Sequence, residues 1–181
     1  MLALGVSAFA APPPVIRKSP ELTIAEPSGK QTLLSSYKGK VVVCTFIFTT
    51  CVHCQRETQM LIKLNKEMGS RGLQIVSVAI NDNAALLVPD FVRQFAVPYP
   101  VGSASPDTMV SYQGFSVMDR YVVPQVVVID RKGNIRAQSP FNGDEKLQTE
   151  EYMRNLLDTL LKEPAGATSS KAPAKTAAVV Q

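Results

Sequence analysis

The sequence predicts one α/β domain, a central mixed β-sheet flanked by helices in three layers. Three observations point there. Val41 to Phe48 is an unbroken apolar and β-branched run, the pattern of a central strand covered on both faces. After Cys54 the pattern changes: Met60, Leu61, Leu64 and Met68 recur at helical spacing, and Leu73 to Ile80 then reads as a second buried strand. Strand, helix and strand in that order imply a right-handed parallel crossover. Finally, Val126 to Ile129, the turn Asp130-Arg131-Lys132-Gly133-Asn134 and Ile135 to Ala137 read as an antiparallel hairpin, which makes the sheet mixed.

The rest of the chain supplies edges and covers. Pro20 to Ile24 and Thr32 to Leu34 flank the turn Glu26-Pro27-Ser28-Gly29-Lys30, an N-terminal β-hairpin that would extend one sheet edge. Ser70-Arg71-Gly72 stops the first helix. Asn81-Asp82-Asn83 turns the chain, and Pro89 is expected in the first turn of a helix ending at Phe95. A short strand follows near Tyr99 to Val101. Ser105-Pro106-Asp107 is a cap, a first-turn proline and a first-turn acid, so a short helix runs to about Tyr112. Thr149 caps a last helix in which Tyr152, Met153, Leu156, Leu157, Leu160 and Leu161 share one face.

With 181 residues, 45% apolar and 19% charged, the chain suits a single core with short appendages. Met1 to Ala10 is apolar and ends in Ala8-Phe9-Ala10 before Ala11-Pro12-Pro13-Pro14, which matches the end of a secretory signal, although the basic stretch that opens such signals is missing. The expected organisation is a signal segment over 1–10, a disordered linker over 11–19, the domain over 20–163 and a disordered tail over 164–181. Export, to the periplasm or beyond, is the expected location. A spanning helix takes roughly 20 apolar residues, so membrane association would need a further anchor upstream. The net charge of +4 is not gathered into a basic stripe with interleaved aromatics, which excludes the usual nucleic-acid footprint. A monomer is expected, with no cofactor.

The chemistry lies in Cys51-Val52-His53-Cys54, at the point where strand becomes helix. The first turn of a helix carries free N–H groups and the positive end of the macrodipole, which favour a thiolate, and the thiolate is the species that attacks disulfides. Cys51, nearer the strand end and solvent, is the expected nucleophile; Cys54, one turn on, is the expected resolving thiol. A structural zinc site wants four ligands, and this chain has three cysteines and one histidine, His53, which lies between the pair. Covalent haem attachment needs His directly after the second cysteine, where Gln55 stands. Cys44, inside the apolar strand, reads as an inert core thiol.

The pair at a strand–helix junction, the crossover, and Val123-Pro124 ahead of a hairpin and a terminal helix together resemble the thioredoxin superfamily. The lead-in Lys38-Gly39-Lys40-Val41-Val42-Val43, an αβ insertion between about Asp82 and Tyr121, and the run Tyr121 to Ile135 resemble its TlpA/ResA-like branch. The resemblance spans roughly residues 20–162 and implies a thioredoxin-like fold. It also implies a redox-active Cys51/Cys54 disulfide that exchanges with protein thiols and disulfides and with an upstream redox partner, as a reductant (in cytochrome c maturation, for example) or as an oxidant. It implies a cis-proline at Pro124, facing the dithiol, with Val123 offering its backbone to an extended substrate.

The sequence also departs from the pattern. Thr50 replaces the usual Trp before the first cysteine, in a chain with no Trp, and Thr45 stands where many members bury an Asp or Asn. Asp82 is paired with the acid that ResA-like members hold near the dithiol, a possible proton relay, the other reading being a turn-forming aspartate. His53 matches the histidine that dithiol oxidants carry inside the pair, where it favours the Cys51 thiolate, the other reading being a solvent-facing side chain. From a different functional class, a metallochaperone could bind copper or zinc through Cys51 and Cys54, but the fold's copper chaperones use a wider cysteine spacing and a distant histidine. Peroxidase chemistry is disfavoured because Phe48 replaces the hydroxyl that peroxiredoxins hold three residues before the attacking cysteine. The Ala/Ser/Pro/Lys composition of residues 164–181 carries no apolar periodicity. Deleting them should leave the melting temperature within about two degrees and redox activity unchanged; a larger fall would mean that the tail docks on the body.

Overall fold

The computed structural model describes residues 13–164, so the expected signal segment and nearly all of the expected tail lie outside the described residues. In chain order the elements are β1 (Arg17–Lys18), β2 (Thr23–Ala25), β3 (Gln31–Leu33), β4 (Val41–Ile47), α1 (Val52–Met68), β5 (Leu73–Ala79), α2 (Ala84–Phe95), β6 (Val101–Ser103), α3 (Pro106–Gln113), β7 (Gln125–Ile129), β8 (Asn134–Gln138) and α4 (Glu150–Lys162). They build one eight-stranded sheet in the order β1-β8-β7-β4-β5-β6-β2-β3. The mixed α/β architecture with a flanked central sheet is the expected thioredoxin-like fold.

The central position of β4 follows from its residues. All seven are buried, because it pairs in parallel with β5 over its whole length and antiparallel with β7 on its other side. Alternate side chains enter two cores. Val41, Val43 and Ile47 join α1, α2 and α4 on one face; Val42, Cys44 and Phe46 join α3 and the β2–β3 hairpin on the other. Each large apolar side chain so buried stabilises the fold by roughly 1.5–3 kcal/mol. The hairpin sits at the edge beside β6, as expected. Its approach requires Gly102, where a Cβ would stand 2.4 Å from Ile24 Cγ2 and 2.7 Å from the Ala25 carbonyl oxygen.

Four local expectations are corrected. The linker over 11–19 includes β1, which pairs Arg17 with Ile135 and Lys18 with Asn134. Its anchors are long polar side chains, Arg17 to the Tyr112 carbonyl and Gln138 (both 2.8 Å), and apolar patterning does not reveal such bonds. Pro89 lies inside α2 rather than in its first turn, because the helix already starts at Ala84 after Asn83 in the left-handed conformation at φ 56°. One lost backbone bond is tolerated there while Val88 and Phe91 are buried. Tyr152 is exposed, off the buried stripe of α4. Thr149 precedes α4 but its hydroxyl donates to the Lys146 carbonyl instead of capping the helix. Ser105, by contrast, caps α3 by accepting from the Thr108 N–H, with Pro106 in the first turn as expected.

Cys44 is fully buried, and burial pushes its thiol up to about 12. Alkylation of the native reduced protein should therefore label Cys51 first, with Cys44 modified only on unfolding, and Cys44→Ala should keep dithiol activity. Labelling of Cys44 at a rate comparable with Cys51 would contradict the packing described.

Candidate active site

The candidate site forms where β4 runs out. Thr49 and Thr50 turn the chain, the Cys51 N–H donates to the Phe48 carbonyl (3.1 Å), and Cys51 becomes the N-cap of α1. The turn is pinned from the turn after β5, since Asn81 Oδ1 accepts from the Thr49 N–H (2.9 Å) and hydroxyl (3.3 Å), while Gln55 Nε2 donates to the Thr49 carbonyl (3.0 Å). Cys51 is thus half-buried at the helix N-terminus, and Cys54 is fully buried one turn in. Both are free thiols.

Burial drives the Cys54 thiol far above the ordinary range, partly offset by a hydrogen bond from the Phe48 backbone and reinforced by a hydrogen bond with Cys51 and by the charges of Cys51 and Glu57. Cys54 therefore keeps its proton while facing the sulfur of Cys51. The pair is thus divided into an accessible thiol, Cys51, and a buried one, Cys54.

Opposite Cys51 lies Val123, whose carbonyl is 3.9 Å from Cys51 Sγ, and the Val123–Pro124 peptide is cis. Gln125 holds this loop. Its side-chain amide donates to the carbonyls of Val122 (2.8 Å), Pro140 (3.2 Å) and Phe141 (3.3 Å), and its Oε1 accepts from Gln113 Nε2 (3.0 Å). Val52, Val122 and Phe141 expose apolar surface. Gln125 was missed in the sequence because a glutamine next to an apolar run reads as a strand end; what the structure adds is a fully buried amide that holds the loop.

The acid nearest the chemistry is Glu57. It sits on the buried stripe of α1 with Cys54, Thr58, Leu61, Leu64 and Met68, only 4% exposed, and neither carboxyl oxygen has a hydrogen-bond partner among the described residues. Burial, and then the charge of Cys51, push it up to about 8. The sequence held a signal: Cys54 and Glu57 are three apart on one helix face, so a carboxylate falls inside an apolar stripe. Asp82, the acid suggested by sequence, is exposed in the turn after β5, and its charge acts on Tyr121. His53 is exposed in the first turn of α1, and among the described residues no hydrogen bond or ion pair holds it. Among the described residues no group of three or more His, Cys, Asp or Glu could hold a metal ion.

Fold and site define a thiol–disulfide oxidoreductase of the thioredoxin superfamily, in its TlpA/ResA-like branch. The chain belongs to the Redoxin family, whose model matches residues 14–157. The thiol-disulfide oxidoreductase ResA of Bacillus thuringiensis subsp. konkukian is 24% identical over 141 residues, 77% of each chain. The Bacillus subtilis ResA is 30% identical over 83 residues, 46% of each. A thiol:disulfide interchange protein of Chlorobium tepidum TLS superposes with a TM-score of 0.67 at 23% identity, covering 84% of this chain and 99% of that one.

A raised acid makes a signed prediction. Unfolded, Glu57 ionises near 4.5; folded, it keeps its proton up to about 8. Between those values the folded state binds the extra proton, so stability is greatest at the acid end and falls as pH rises through the window. Glu57→Gln removes this slope. The reduced variant should be more stable than the parent near the upper end by roughly 1–4 kcal/mol, and level with it or below it near the lower end. Parallel stability curves in denaturant titrations would contradict a neutral buried Glu57.

Proposed function

We propose that the protein is an exported oxidoreductase that exchanges its Cys51/Cys54 pair with cysteine pairs in extended segments of partner polypeptides, held against the backbone of Val123. What carries this reading is the pairing of an accessible thiol at a helix N-terminus with a buried thiol beside an unpaired carboxyl. The apolar run Met1 to Ala10, closing on Ala8-Phe9-Ala10, supports export. Among the described residues no helix is long and apolar enough to cross a membrane.

In the reductive direction the Cys51 thiolate attacks a substrate disulfide, forming the Cys51–substrate bond and releasing one substrate sulfur, which takes a proton from solvent. Cys54 then gives its proton to the Glu57 carboxylate and attacks Cys51. The Cys54–Cys51 bond forms, the Cys51–substrate bond breaks, and the second substrate sulfur leaves to be protonated. The substrate gains two electrons and two protons; the enzyme dithiol becomes a disulfide. The oxidative direction is the reverse, with Glu57 returning the proton to Cys54. An acid titrating near 8 is populated in both forms around neutral pH, as both directions require. The net direction follows from the gap between this pair's reduction potential and that of its partner.

Beside Cys51, Pro124 lacks an N–H, so the loop leaves backbone hydrogen-bonding capacity for a guest strand. Val52, Val122 and Phe141 give that guest an apolar rim. In this reading His53, next to the nucleophile on the solvent side, tunes its charge without a structural role, and Asp82 contributes a long-range charge.

Incubating reduced Cys54→Ser protein with insulin should accumulate a mixed disulfide through Cys51, because attack is intact and release is lost. An adduct formed through Cys54 in Cys51→Ser protein, with none in Cys54→Ser, would reverse the two roles.

A further inference from the structure

We propose that Tyr99 is a positioning residue for Glu57: its hydroxyl, backed by Ser77, Thr45 and Thr58, supplies the hydrogen bond that the Glu57 carboxyl needs when it is charged. This rests on the reading of Glu57 as proton acceptor and adds the group that makes a buried carboxylate attainable.

The sheet builds a row of hydroxyls under α1. The register of β4 and β5 pairs Thr45 with Ser77, whose hydroxyls are 2.9 Å apart and buried. The Ser77 N–H donates to the Pro100 carbonyl (3.0 Å), which draws the segment ahead of β6 onto β5 and brings Tyr99 into the same core as Cys54 and Leu61. On α1, Glu57 and Thr58 are 4% and 2% exposed and Tyr99 is 6% exposed, with the Thr58 hydroxyl in reach of the phenol and the Glu57 charge acting on it. The Thr58 hydroxyl spends its only proton on the Cys54 carbonyl (2.9 Å), so towards Tyr99 it can only accept.

Five buried side-chain polar atoms lack a hydrogen-bond partner among the described residues, and three of them are the two Glu57 oxygens and the Tyr99 hydroxyl. They are complementary, since a carboxylate only accepts and a phenol has a proton to donate. Buried groups of this kind are costly while unsatisfied, and pairing them would relieve both. The titratable groups facing Glu57 are Cys51 and Cys54 from its own helix and Tyr99 from the sheet side. Burial raises the Tyr99 hydroxyl well above its ordinary range, with Ser77 and Thr58 hydroxyls in reach and the Glu57 charge adding to the rise. Tyr99 thus stays a proton-bearing donor across the working range. While Glu57 is neutral, the phenol can donate to Ser77 or Thr58; when Glu57 ionises, it can turn to the carboxylate.

The test is an NMR titration of glutamate side-chain carboxyl carbons in the reduced protein, with Glu57 assigned by comparison with Glu57→Gln. Tyr99→Phe keeps the ring and removes the donor, so the Glu57 midpoint should move up by about one pH unit. Ser77→Ala should move it the same way by less. Tyr112→Phe is the control, because the Tyr112 hydroxyl pairs with Ser19 Oγ (2.8 Å) on the other face of the sheet, and it should leave the midpoint unchanged. In turnover, Tyr99→Phe should lower kcat about tenfold at neutral pH, with recovery at higher pH and KM unchanged. A Glu57 midpoint in Tyr99→Phe that superimposes on the parent overturns the proposal. If Glu57→Gln turned over normally, the proton-acceptor role would fall, while the titration would still decide whether Tyr99 and Glu57 are coupled.

Discussion

A carboxyl placed in an apolar core without an ion-pair partner is the constraint to which the rest of the site answers. Position 57 lies on the stripe of α1 that covers β4 and β5, where a leucine would pack at no electrostatic cost. Leaving glutamate there raises its proton affinity into the range of a thiol and sets it beside two sulfurs. Functional sites are where such perturbed groups gather, and the core around this one is arranged to bear it. Central β4 has partners on both edges, α1 is anchored at its far end by the ion pair of Arg154 with Glu67, and the turn before Cys51 is tied through Asn81 to the turn after β5. The dithiol is held by the rigid parts of the molecule.

The second half of the site arrives from the other side of β4. Because β7 pairs antiparallel with β4, with Gln125 opposite Phe46, its N-terminal end lies beside the end of β4 that leads to the cysteines. The Val123–Pro124 loop must therefore face the α1 N-terminus. Gln125 fixes the loop's height by binding three carbonyls with one amide. Chain regions about seventy residues apart meet at a contact of 3.9 Å between Cys51 Sγ and the Val123 carbonyl.

The sequence disclosed the parts of this design that act through apolar patterning and local turn chemistry. The buried strands, the amphipathic α1 and α4, the β7–β8 hairpin and the cap of α3 were all legible, as was the dithiol at its strand–helix junction. What escaped notice depends on polar groups in unusual places. Glu57 and Gln125 are charged or polar types that ordinarily mark solvent, and their meaning comes from burial produced by elements distant in sequence. Asp82 illustrates the converse, since order along the chain brought it near the second strand but the turn after β5 exposes it. Strand β1 was hidden because its two residues, Arg17 and Lys18, pair with β8 through backbone bonds and the Arg17 side chain without an apolar pattern.

The most direct measurement follows the resolving step alone. Cys51 is charged with a small aromatic thiol whose release is visible, and the rate at which Cys54 expels it is followed across pH. The rate should rise and level off at the Glu57 midpoint, which burial raises and which lies no higher than about 8 once the Cys51 charge is removed, with Glu57→Gln slower by about tenfold or more near neutrality and still rising above that plateau, as expected of a buried thiol without an acceptor. Superimposable profiles for the two proteins would contradict it.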